Sequence, residues 1–86
     1  MNDLHKTYLK LLLKDASTNI LKTVFMNGQI AYSANRAFSN STDDFQKEEF
    51  INEMMRIGYL TEHKTKEGSY YKFTKKAKDY YTELIK

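Results

Sequence analysis

Gln46, Asn52 and Arg56 recur along one helix-length segment, and Lys64, Lys66 and Lys72 flank a single glycine at position 68. Carboxamides at such positions can read adenine edges in a major groove, and a guanidinium can contact guanine or phosphate. Lysines grip phosphate regardless of sequence. Ser41 and Thr42 stand where the segment would begin, as hydroxyl donors to a phosphate at a helix start. This inventory points toward duplex DNA. Enzyme chemistry has less to work with. The chain has no cysteine, which removes thiol catalysis, disulfides and cysteine-ligated zinc. No glycine-rich phosphate loop is present, and His5 and His63 stand far apart without ligand-like neighbours. Each histidine is expected at the surface. No catalytic residue, cofactor or metal ligand is expected.

One feature opposes the DNA reading. Residues 41–60 hold Asp43, Asp44, Glu48, Glu49 and Glu53 against Lys47 and Arg56, a net charge of −3. With residues about 100° apart on a helix, Phe50, Ile51, Met54, Met55 and Ile57 form the inner face. Phe45, Gln46, Glu49, Asn52, Glu53 and Arg56 collect opposite. Acids before a polyanion cost free energy unless one accepts from a cytosine amino group. Asp43 and Asp44 have another use, since carboxylates complement the dipole at a helix N-terminus. Elsewhere the balance is basic: +3 over residues 1–40 and +3 over residues 61–86. Phe45 is either covered by a preceding segment such as Phe38, or an exposed anchor for a thymine methyl or a protein partner.

The elements that must position these residues read as mostly helical. Asn2 or Asp3 caps a first helix to about Lys14, with Leu4, Tyr8, Leu11 and Leu12 inward. Ser17 caps a second, in which Ile20, Leu21, Val24 and Phe25 recur at helical spacing up to Gly28. Gln29–Tyr32 is a short extended piece, Ser33–Phe38 a short helix, and residues 39–42 a polar turn. Ser41 and Asp44 start the helix that reaches Ile57. Gly28 and Gly58 look like helix C-caps. Tyr59–Lys64 and Ser69–Phe73 read as a hairpin turning at Lys66-Glu67-Gly68, and Thr74 caps a last helix. The expected fold class is mainly α with a small β-hairpin, a winged helix-turn-helix, in one domain over 1–86.

The run FINEMMRIGYLTEHKTKEGSYYKFTKKAKDYYTELI, within a match best over residues 45–85, resembles winged helix-turn-helix regulators of the MarR and PadR type. Gly58-Tyr59-Leu60 matches the strand start, Lys66-Glu67-Gly68 the wing tip and Tyr71-Lys72-Phe73-Thr74 the return strand. Ala77 departs from the family's usual glycine, and Ala16–Thr42 matches only in layout. The resemblance implies sequence-specific duplex DNA binding by a small transcription regulator or a plasmid or phage accessory protein. It makes Ser41, Thr42, Phe45, Gln46, Glu49, Asn52 and Arg56 the groove-facing set, and Lys64, Lys66 and Lys72 the wing contacts. Winged helices also bind proteins, so the alternative is an interaction module docking a partner through its acidic helix 43–57.

Eighty-six residues allow one small core. Leu9 and Leu13 lie off the inner face proposed for the first helix. With Leu84 and Ile85 they are assigned to a homodimer interface. No apolar run reaches the roughly 18 residues of a membrane span, and the first residues lack a basic signal region. The expected location is cytoplasmic, with no membrane partner.

Overall fold

Asn-Gly between two β-rich runs is the strongest short-range hairpin signal, and Asn27-Gly28 decides the front half of the molecule. The computed structural model describes residues 1–14, 19–40 and 43–86. Gly28 has φ +85°. Its N–H donates to the Phe25 carbonyl at 2.9 Å, and the Phe25 N–H donates to the Gln29 carbonyl at 2.8 Å. The Asn27 side chain accepts from the Gln29 N–H at 3.0 Å. The turn joins β1 (Ile20–Val24) to β2 (Ile30–Ser33). The helix expected up to Gly28 is therefore a strand, and Gly28 caps no helix. Apolar residues at 20, 21, 24 and 25 fit a helical period, but Ile20, Thr23 and Val24 are β-branched and favour a pleated surface. Ser17, the expected cap, lies outside the described residues.

The remaining elements are α1 (Asp3–Leu13), α2 (Arg36–Ser39), α3 (Asp44–Arg56), β3 (Leu60–Lys64), β4 (Gly68–Phe73) and α4 (Lys75–Leu84). The strands form one antiparallel sheet in the order β2-β1-β4-β3. Of the described residues 48% are helical and 25% strand, so the fold class is α+β and the expected mainly α class with a small hairpin is corrected. The expected free wing is the other half of this sheet, because β4 pairs with β1 from Ile20–Tyr71 to Thr23–Gly68. Gly68 makes that joint possible. A Cβ there would lie 2.0 Å from the Lys22 carbonyl oxygen. Its role is close approach of two strands, beyond the turn expected of it.

Period-two alternation sorts the sheet into two faces. Ile20, Tyr32, Leu60 and Tyr71 join the core with the helices. Leu21, Ser33, Tyr70 and His63 lie in one cross-strand row on the other face. α1 buries His5, Tyr8, Leu9, Leu12 and Leu13, a continuous helical stripe. This stripe is rotated from the expected one. Leu9 and Leu13 are consumed by the protomer's own core, so the argument that left them for a dimer interface is corrected. Leu4, expected inward, is exposed. His5, expected at the surface, is buried edge-on against Phe50 with ring centroids 5.8 Å apart. Tyr8 meets Phe38 at 5.3 Å and Phe50 at 5.5 Å, both T-shaped. Such offset geometry suits aromatic quadrupoles. Thr74 caps α4 through the Ala77 N–H, and Ala77 is fully buried. Leu84 is half-buried and Ile85 exposed. Among the described residues no helix is long and apolar enough to cross a membrane.

The two sheet edges are treated differently. Hydrogen bonding at Phe25–Gln29 fixes the alternation along β1–β2, so the Tyr32 carbonyl points off the β2 edge. Lys47 of α3 occupies that edge. Its side chain is 3% exposed, and its ammonium donates to the Tyr32 carbonyl (3.4 Å), the Ser39 carbonyl (3.3 Å) and Asp44 Oδ1 (3.3 Å). The β3 edge carries Glu62, His63 and Lys64, all exposed residues. Charge on an open edge discourages pairing with another chain.

Candidate nucleic-acid interface

α3 begins where Asp43 accepts from the Phe45 N–H (3.0 Å) and the Gln46 N–H (3.2 Å). Two of the helix's orphan donors are thus satisfied by a carboxylate that also complements the dipole. Apolar spacing then turns Phe50, Ile51 and Met54 into the core. The outward side is left with Phe45, Glu49, Asn52 and Arg56 in one exposed stripe. Gln46 and Glu53 flank it, half-buried. These are six of the sequence-predicted groove residues and neighbours, brought onto one side of one helix. Ser41 and Thr42 lie outside the described residues. Phe45 is 67% exposed, and Phe38 is fully buried among Tyr8 and Phe50. The expectation that Phe38 covers Phe45 is therefore corrected.

The acidity of this helix is largely engaged within the protomer. Asp43 caps the helix, and Asp44 pairs with buried Lys47. Glu48 lies beside the Tyr32 hydroxyl; burial, and secondarily Glu48, pushes that hydroxyl up to about 12. Arg56 Nε donates to Glu53 Oε2 at 3.0 Å, and its Nη2 reaches the other carboxylate oxygen. Hydrogen bonding to Arg56 holds the Glu53 carboxyl below the usual range. Among the described residues, Glu49 alone of the five acids has no partner. The two ion pairs leave the net −3 unchanged, carried by Asp43, Glu48 and Glu49, but of these three only Glu49 is exposed.

The lysines of the β3–β4 hairpin do not form one cluster. Lys64 and Lys66 share its tip, and Lys66 is exposed in the turn. Lys64 donates to Glu62 Oε2 at 3.3 Å. Lys72 pairs with Thr61 on the outer sheet face, whereas Lys64 pairs with Ser69 on the helix side. It also stands three residues back from Ser69, about 10 Å along the strand. Glu62 ties this hairpin together. Hydrogen bonds from Ser69, Lys64 and Tyr71 hold its carboxyl below the usual range, and the Tyr71 hydroxyl donates to it at 3.3 Å.

Sequence reasoning missed Lys47, whose burial has no local signal: its ammonium is satisfied by two carbonyls from other elements. It also missed the stacked pair of His63 and Tyr70, 4.9 Å apart and 13° from parallel. Alternation places Tyr70 outward and Tyr71 inward, but the partner of Tyr70 depends on strand register. Among the described residues no group of acids and histidines is arranged to hold a metal ion. Comparisons of the chain with protein-family models, with curated proteins and with solved structures find no match.

Proposed function

We propose that this chain binds duplex DNA through α3 and the tip of the β3–β4 hairpin, as a small regulator or an accessory protein of a plasmid or phage. The observation that carries the reading is the exposed stripe Phe45, Glu49, Asn52 and Arg56, with four of the helix's five acids engaged inside the protomer. Asn52 and Gln46 are the adenine readers, and Arg56 contacts guanine or phosphate once released from Glu53. Lys64 and Lys66 grip phosphates from the hairpin tip, and Lys72 contributes from the outer face. The resemblance of residues 45–85 to winged helix-turn-helix regulators points the same way. A cytoplasmic location and a two-fold homodimer belong to this reading, the dimer presenting two α3 helices about 34 Å apart, or a multiple of that.

The test is fluorescence anisotropy on a labelled duplex across a salt series. Binding should weaken with a slope of about −0.9 per phosphate contacted. Lys66→Ala should weaken all duplexes alike and reduce the slope by about one. Glu49→Gln with Glu53→Gln should raise non-specific affinity, because two repulsive charges are lost. The exposure of Phe45 favours one other reading, a protein partner docked on α3. Under that reading DNA affinity is negligible for wild type and double variant, even at low salt. The double variant then loses the protein partner, whose charge complementarity sets encounter and register.

A further inference from the structure

The β1–β2 hairpin carries the largest uncovered apolar surface of the described chain. Met26 at its turn is fully exposed, Leu21, Val24 and Phe25 are about half exposed, and Ile30 is 37% exposed. Val24 and Ile30 pair across the strands, so they share one face. Leu21 lies on the other, and continued alternation puts Phe25 with it. From Thr23 to Asn35 the sequence runs thirteen residues without a charge, in a chain that is 29% charged.

We propose that this hairpin is the interface between two copies of the chain. Three physical arguments select a second copy. The first is area. Taking about 200 Å² for each fully exposed side chain of this size, the five residues present roughly 600 Å² divided between the tip and the two faces of the hairpin. A standard interface takes roughly 800 Å² per partner, which these five and their neighbours can supply. The second is composition. Interface centres are poor in charge and rich in aromatic residues and methionine, as this hairpin is. The third is charge. Two copies of a chain with net charge +3 repel one another, and an uncharged patch is where they can meet with least repulsion. A polyanion or an anionic lipid surface would be served better by lysines, and the hairpin has only Lys22, half-buried opposite Tyr32 and Ser69. The copies join through side chains and not by adding strand to strand, because Lys47 occupies the β2 edge at Tyr32. This interface takes the place of the one assigned to Leu9 and Leu13, which the core consumes. It names the surface of the proposed dimer but does not require that the dimer bind DNA.

Sedimentation equilibrium on the full chain tests it without any DNA. The wild type should be dimeric at micromolar concentration, and no weaker at 0.5 M than at 0.05 M salt. Phe25→Asp with Met26→Asp should raise the dissociation constant at least about 100-fold, with unchanged far-ultraviolet circular dichroism because both side chains are already solvent-exposed. Ile85→Asp, on the exposed end of the last helix, should leave the dimer intact. A wild type that stays monomeric at 100 µM overturns the proposal. So does a dimer that survives the hairpin variant, breaks with Ile85→Asp or dissociates steeply with salt. A monomer that instead co-sediments with vesicles of anionic phospholipid assigns the hairpin to lipid and also overturns it.

Discussion

The two hairpins of this sheet are both antiparallel pairs, and they carry opposite surfaces. β3–β4 has Glu62, Lys64, Lys66 and Glu67 at and near its turn, while β1–β2 has no charge from Thr23 onward. Their turns lie side by side at one end of the sheet, linked where the Val24 N–H donates to the Glu67 carbonyl at 3.2 Å. The outer edges differ in the same spirit. The edge of β2 is covered by a buried ammonium, and that of β3 is open and charged. Charge thus keeps one hairpin in water. Its absence leaves the other with exposed apolar side chains. Topology alone would not separate them.

The two hairpins also need their glycines for different reasons, which gives the sharpest way to break the comparison. Gly68→Ala should be the most damaging single change at either turn. Its Cβ meets backbone 2.0 Å away, so β1 and β4 must separate. A loss of about 3 kcal/mol or more is expected from urea unfolding, as for other strained, overpacked sites. Gly28→Ala meets open space but must hold φ +85°. About 1 kcal/mol is expected there, and Gly28→Asn should recover most of it. Equal losses at the two sites would erase the distinction.

Between these lies the β2 edge. Lys47→Ala removes the ammonium that satisfies the Tyr32 and Ser39 carbonyls and neutralises Asp44. We expect about 2–3 kcal/mol lost. Lys47→Met keeps the stem and removes a costly buried charge, so it should lose less. Hydrogen exchange of the β2 amides should rise in the alanine variant before that of β4. Equal losses in the two variants would show that the hydrogen bonds of the ammonium, not the packing of its stem, are the role of Lys47.

The smallest effect concerns alkali. Burial raises the Tyr32 hydroxyl to about 12 and drives Tyr71 higher still, with Glu62 opposing its ionisation. A phenol whose folded value is raised contributes stability while it is neutral. That contribution is complete below about pH 10, the unfolded value, and is lost as pH climbs through 10 toward 12. Absorbance at 295 nm should show Tyr32 and Tyr71 ionising only above the ordinary phenol range, as the fold opens. Tyr32→Phe should move the alkaline unfolding transition upward in pH. A single titration of all seven tyrosines near pH 10 would contradict the burial of these two.

Much of the second half was legible from local chemistry. The inward residues Phe50, Ile51 and Met54, the turn before Gly68 and Thr74 as cap each depend on neighbours within a few residues, although the start of α3, read as a Ser41–Asp44 capping box, is capped by Asp43. The sequence by itself determined these, along with the charge asymmetry between the hairpins. It also held an unused signal, Asn27-Gly28, which was outweighed by apolar residues that fit a helical period equally well. Tertiary structure decided the rest. Whether Leu9 and Leu13 face core or solvent depends on the rotation of α1 over Phe50. Whether Lys47 is a surface lysine depends on carbonyls 15 and 8 residues away. Whether Gly68 marks a turn or a strand joint depends on β1, more than forty residues earlier. Those outcomes rest on pairing between distant segments, and a periodicity carries no information about which distant segment will be opposite.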